Sequence, residues 1–131
     1  MPQQKFSVVP GTYAVCRMQA DTALPGWASA PGGFTSVTRT ADELSIVCRE
    51  DAVPEGVTGS RGWRAIRVAG PLDFSLTGIL ASLATPLAEA QVSIFALSTH
   101  DTDYVLVPDA KLGSAVDALV AAGHRFFEHK P

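Results

Sequence analysis

From Trp63 onward the spacing of apolar residues changes in a fixed order, and that order limits the fold more than any other feature of the chain. Trp63 to Val68, Val92 to Leu97 and Tyr104 to Val107 are short runs rich in β-branched and aromatic residues, and they read as strands. After the first of them, Ile79, Leu80, Leu83 and Leu87 recur at helical spacing from Leu76 on. After the third, Leu112, Val116, Leu119 and Val120 do the same, and Gly123 supplies a stop. Pro86 is expected to kink or end the first helix near Thr85, because proline lacks the N–H and crowds the preceding turn. Arg125 to Phe127 makes a marginal last strand. Strand, helix, strand, strand, helix, strand is the order of two interleaved split βαβ units, an α+β fold of ferredoxin-like (βαββαβ) type.

The first half reads as an abbreviated copy of the second. Tyr13 to Met18, Phe34 to Arg39 and Leu44 to Cys48 are strand-like. Aligned without gaps, Phe34 to Glu50 falls on Ser93 to Asp109, with Thr40 on Thr99, Asp42 on Asp101 and Ile46 on Val105. Leu24 to Ala30 stands where the first helix belongs, and Pro25, Gly26 and Pro31 keep it short. The aperiodic stretch Asp51 to Gly62 replaces the second helix and reads as a linker. These boundaries predict an abbreviated half over residues 1–60 and a complete unit over 61–131.

Composition rules out several functional classes. The chain has 131 residues, 47% of them hydrophobic, enough for a core without metals or disulfides. A net charge of −3 and scattered basic residues give no footprint for nucleic acid or an anionic membrane. The longest mainly apolar stretch, Leu76 to Leu87, is interrupted by polar residues and Pro86, so no membrane span is expected. Cys16 and Cys48 could pair, but each alternates with apolar residues in a strand and reads as a reduced core thiol. With no leader-like N-terminus, that reading implies a cytoplasmic protein.

Two places have chemistry worth weighing. Gly70 to Gly78 joins a strand to a helix, with Asp73 or Ser75 as a natural N-cap. Free N–H groups at such a helix start can hold a carboxylate or phosphate, although an ordinary capped helix with a packing glycine explains the same residues. Gly78, placed in the first turn, is costly for a helix. Ser98 to Asp103 joins two strands, and its Asp, Thr and Ser residues suit either a plain turn or a polar site. In the expected sheet this turn and the end of the strand at Val68 share one rim, separated by one intervening strand, or about 10 Å. N–H donors and Asp oxygens on one rim match the two poles of an α-amino acid. His100, Asp101 and Asp103 lack the further ligands a zinc site needs. No nucleotide loop or nucleophile elbow occurs, so no enzyme and no cofactor are expected. Trp27 and Trp63 read as partly buried core, and His124 and His129 as solvated residues of a polar C-terminal region.

The strings Gly70-Pro71-Leu72-Asp73-Phe74-Ser75-Leu76-Thr77-Gly78-Ile79-Leu80 and Ile94-Phe95-Ala96-Leu97-Ser98-Thr99-His100-Asp101-Thr102-Asp103-Tyr104 resemble the ACT-domain family. Together with Pro10 to Arg17 and Thr38 to Val47, they are similar to the small tandem-ACT proteins related to the cytosolic arginine sensors called CASTOR. The resemblance covers about residues 10 to 124. It implies a non-catalytic regulatory protein that binds an amino acid or similar small ligand and is regulated by association. The abbreviated first half, which lacks a full helix to cover its sheet, adds the expectation of a homodimer. It places ligand-binding residues at Asp73, Phe74, Ser75, Leu76, Thr77 and Gly78, with Ser98, Thr99, Asp101 and Asp103 beside them. The rival reading is a protein-interaction or dimerisation module without a ligand.

Overall fold

The structure is a computed structural model that describes residues 3–29, 32–73 and 77–128. The chain forms two compact units, one of residues 1–9 with 64–131 and one of residues 10–63. Strand β1 (Lys5–Met18) and strand β4 (Gly59–Val68) each contribute one end to each unit. The expected strand at Tyr13 therefore starts eight residues earlier, at Lys5, and the chain stays extended through Pro10-Gly11. Gly11 sits at φ +91°, a conformation that glycine adopts without strain, so the pair does not end the strand.

The unit of residues 10–63 contains the end of β1, β2 (Ser36–Arg39), β3 (Leu44–Arg49) and the start of β4, in the order β2-β3-β1-β4. β2 and β3 form an antiparallel hairpin, and β3 runs antiparallel to β1. One 3-10 turn, Gly26–Ser29, stands in the place of the first helix, and the second helix has no counterpart. The stretch read as a linker is partly structured: it holds a 3-10 turn at Glu50–Ala52 and the first residues of β4. Ala14, Cys16, Leu44, Ile46 and Cys48 alternate inward and make the core, with Trp27 packed against it.

The other unit carries β4, α1 (Ile79–Glu89), β5 (Phe95–Ser98), β6 (Asp103–Pro108), α2 (Leu112–Ala121) and β7 (Arg125–Phe126), the βαββαβ order expected from the sequence. Its strands run β7-β1-β4-β6-β5. Residues 5–9 of β1 thus take the position beside β4 that the last strand of such a fold normally fills. β7 pairs with them in parallel on the outer side, Lys5 opposite Arg125 and Phe6 opposite Phe126. The core joins Phe6, Ile66 and Val68 to Ile79, Leu83 and Leu87 of α1 and to Ala115 and Leu119 of α2. Val120 belongs to the helical stripe by spacing but is half-exposed.

The internal repeat survives in geometry. Ser36–Arg39 lands on Phe95–Ser98 and Leu44–Arg49 on Asp103–Pro108, in the same register. Even the turns agree. Thr40 N–H donates to Glu43 O at 2.9 Å, and Thr99 N–H donates to Thr102 O at 2.8 Å. In both, the threonine hydroxyl accepts a backbone N–H across the turn.

α1 runs through Pro86 to Glu89, past the expected end near Thr85. A proline there deprives the Ser82 carbonyl of its i+4 donor. That carbonyl instead faces His124, whose Nε2 lies 2.7 Å away. On the other side of the ring, Gln4 N–H donates to Nδ1 at 3.0 Å. Because Nδ1 accepts, Nε2 carries the proton and donates to Ser82 O. His124 is buried, 5% exposed, which corrects its reading as a solvated residue. One side chain thus replaces the bond that Pro86 removes and ties down the chain entering β1. α1 then ends in a Schellman turn, Val92 N–H to Leu87 O and Gln91 N–H to Ala88 O, with Gln91 at φ +60°. This turn uses up Val92, so β5 begins later than expected, at Phe95. α2 closes in the same way at Gly123, with His124 N–H on Leu119 O.

Candidate functional site

The rim at the end of β4 is built by close backbone approach. Gly70 lies so near the β5–β6 turn that a Cβ would stand 2.8 Å from Asp101 O. Leu72 N–H donates to Asp101 O at 2.6 Å, and the hydroxyl of buried Thr102 donates to Val68 O at 2.6 Å. The turn is therefore bonded directly to the strand end and its loop, closer than the expected separation by one intervening strand. β4 and β6 are sheet neighbours, which brings the turn before β6 onto the loop after β4.

Between this turn and the start of α1 lies a cleft of about 320 Å³. Of the residues expected at the site, Asp73, Gly78, Ser98, Thr99, Asp101 and Asp103 line it. Phe74, Ser75 and Leu76 lie outside the described residues. Thr77 is exposed and is not part of the lining. Leu72, His100 and Thr102, which lie in the two candidate stretches but are not among the ligand-binding residues named there, also line the cleft, as do Ile79 and Leu80 from outside those stretches. Leu80 carried a signal: it sits on the α1 stripe by spacing, yet its neighbour Ile79 is the one that turns into the core.

Gly78 corrects the expected cap. It is the N-cap of α1, at φ +76°, in place of Asp73 or Ser75, and it offers no side-chain bond. Its carbonyl accepts Ser82 N–H at 2.9 Å, so it lies outside the helix rather than in the first turn. A left-handed conformation and not crowding explains the glycine, since open space surrounds its Cβ position. The N–H groups that follow at Ile79, Leu80 and Ala81 have no partner within the helix.

The opposite wall is acidic. Ser98 donates its hydroxyl hydrogen to Asp103 Oδ1 at 2.6 Å, which orients that carboxylate. His100 Nδ1 lies 2.9 Å from Asp101 Oδ1 in an exposed pair. Among the described residues, no lysine or arginine lines the cleft. Asp101 and Asp103 come from the β5–β6 turn and the helix N–H groups from the start of α1, with Asp73 on the loop leading to that helix, an arrangement suited to a small zwitterion. Among the described residues, no three His, Cys, Asp or Glu side chains gather in a form able to hold a metal ion. Cys16 and Cys48 are buried and unbridged, and neither lines this cleft. Burial, then the neighbouring Cys16 and Asp51, push the Cys48 thiol up to about 11, which leaves it protonated and unreactive at neutral pH.

Comparisons with known proteins agree with this architecture. A family model described as the ACT domain matches residues 58–121, and a separate model for an N-terminal domain matches residues 11–56. The human protein named cytosolic arginine sensor for mTORC1 subunit 1 is 42% identical over 66 residues. That match takes in 48% of this chain and 20% of the sensor, so it spans about a fifth of the sensor's length. Among solved structures, a protein from Agobacterium tumefaciens is 40% identical, with a TM-score of 0.91 over 100% of this chain and 97% of its own. Aspartate kinase from Clostridium acetobutylicum, at 13% identity and a TM-score of 0.65, covers 89% of this chain with 34% of its own and shares the fold. The chain belongs to the ACT-domain family, as a tandem of two ACT-like parts related to the cytosolic arginine sensors.

Proposed function

We propose that this chain is a non-catalytic regulatory protein that binds a small amino acid in the cleft between the start of α1 and the β5–β6 turn. One observation carries the reading: a helix start without a side-chain cap at Gly78 faces Asp101 and Asp103 across about 320 Å³. The ligand carboxylate meets the N–H groups after Gly78, and its ammonium meets the Asp oxygens. The name of the curated relatives, arginine sensors, supports an amino acid as the ligand. Phe74, Ser75, Leu76 and Thr77 belong to the same proposed loop. We assign the abbreviated ACT-like half to residues 1–60 and the complete ACT domain to 61–131, the latter borrowing residues 5–9.

The protein works in the cytoplasm as a homodimer. The edge strand β2, exposed from Val37 to Arg39, favours pairing with a second copy, because proteins normally cover or break such edges. The same edge favours a second reading, an interaction module without a ligand. No described helix is long and apolar enough to cross a membrane. A thermal-shift panel of the common amino acids separates the two readings. A ligand at a hundredfold excess over its dissociation constant stabilises the fold by about 2.7 kcal/mol, and a panel without any shift sinks the sensor reading.

A further inference from the structure

A second cleft, of about 400 Å³, lies wholly within the unit of residues 10–63, at the end of β1. Its chemistry is the reverse of the acidic cleft. Arg17 lines it with the hydroxyls of Thr22 and Thr58 and the amide of Gln19, while Met18 and Val57 form an apolar wall. Among the described residues, no aspartate or glutamate is in the lining. The Arg17 guanidinium donates to Asp42 O at 3.0 Å, a bond to a backbone carbonyl.

Two more arginines of this unit bond backbone carbonyls in the same manner, outside the lining. Arg39 donates to Ala20 O, inside the turn that Thr22 N–H closes on Gln19 O. Arg61 donates to Pro54 O at 3.2 Å, on the segment leading to Val57. The Arg–Asp bridges among the described residues, Arg49–Asp51 and Arg64–Asp109, involve none of the three. Arg17 brings a cation to a lining that also offers Gln19, Thr22 and Thr58 as polar partners and Met18 and Val57 as a short apolar wall.

We propose that this cleft is a second binding site, for a small aliphatic carboxylate. The planar fork of Arg17 pairs with the carboxylate, Met18 and Val57 hold a short carbon chain, and Thr22 and Thr58 take a second polar group. A guanidinium fork with hydroxyl donors alone would accept any oxyanion. The apolar wall is what selects an organic acid over inorganic phosphate. The site does not depend on the reading of the acidic cleft.

The test is amide NMR titration of the whole chain with succinate, lactate and inorganic phosphate as probes. Succinate or lactate is expected to shift the amides of residues 17–22 and 56–58 saturably, with those of residues 98–103 unmoved. Arg17→Gln keeps an amide donor for Asp42 O at an exposed position and is expected to weaken binding about tenfold or more. Thr58→Val, with the same shape and no hydroxyl, provides a second variant with a smaller expected loss. Absence of any saturable shift with the two organic acids overturns the proposal, as does parent-like binding by Arg17→Gln. Phosphate binding as tight as succinate overturns the assigned ligand class.

Discussion

Replacing His124 by phenylalanine keeps a ring of similar shape but strips both hydrogen bonds that the imidazole makes, to Ser82 O at 2.7 Å and from Gln4 N–H at 3.0 Å. Each bond contributes about 1 kcal/mol net, and stranding a buried backbone group costs about 1–3 kcal/mol, so the variant should lose about 2–4 kcal/mol. The Ser82 share of that loss exists because Pro86 supplies no N–H. Pro86→Ala returns the donor, and alanine is the better helix former by about 3 kcal/mol in a helix interior, so this variant alone should be neutral or stabilised. In the Pro86→Ala background, His124→Phe should cost about 1–2 kcal/mol less than in the parent, since Ser82 O then keeps a partner. The measurement is a double-mutant cycle by urea unfolding, followed by helical circular dichroism. Both helices belong to the same compact unit, which makes the signal specific to it. Effects that add to within about 0.3 kcal/mol would show that the two side chains do not share the Ser82 carbonyl, and the explanation for the uninterrupted helix would fail.

Other substitutions test the backbone and the site. Gly78→Ala forces a Cβ into a left-handed conformation and should destabilise the fold by about 1–2 kcal/mol, where a helical glycine would have gained from alanine. Gln91→Gly relieves the same strain at the end of α1 and should stabilise by about 1 kcal/mol in thermal melts. Asp101→Asn and Asp103→Asn preserve size on a turn and should melt like the parent, while losing about 1.5–3 kcal/mol in calorimetric binding of the best amino acid if each meets its ammonium. The Cys48 thiol is raised from 9.0 to about 11 in the folded chain, so the native state holds its proton after the unfolded state has released it. Its contribution to stability is therefore complete below pH 9 and lost as pH rises towards 11; subtracting the pH profile of Cys48→Val from that of the parent should isolate this decline.

The parts of this fold that were legible in the sequence are those written in local period. The inward alternation of Leu44, Ile46 and Cys48 and the stripe of Ile79, Leu83 and Leu87 placed β3 and α1 on the correct faces. Thr40 and Thr99, matched in a gapless alignment, occupy equivalent turns with the same bonds. The α1 cap at Gly78 and the late start of β5 are local misreadings, but most of the others depend on partners distant in sequence. Pro86 looked like a helix end because its remedy, His124, lies in another element. His124 looked solvated because its polar neighbours in sequence say nothing of Gln4 and Ser82. The strand before Pro10 was overlooked because Phe6, Ser7 and Val9 are buried only once β1 lies beside β4. At the site, Gly70 and Asp101 were recognised as chemistry-bearing, but their direct contact rests on β4 and β6 being neighbours, which no local pattern reports.

The most direct test of the central claim is isothermal calorimetry of the intact chain against each common amino acid, with amide NMR locating the best binder. The account predicts saturable binding of at least one amino acid, with shifts concentrated at residues 78–81 and 98–103 and binding weakened in Asp101→Asn or Asp103→Asn. Binding that leaves those amides unmoved, or no binding by any amino acid at millimolar concentration, would contradict it.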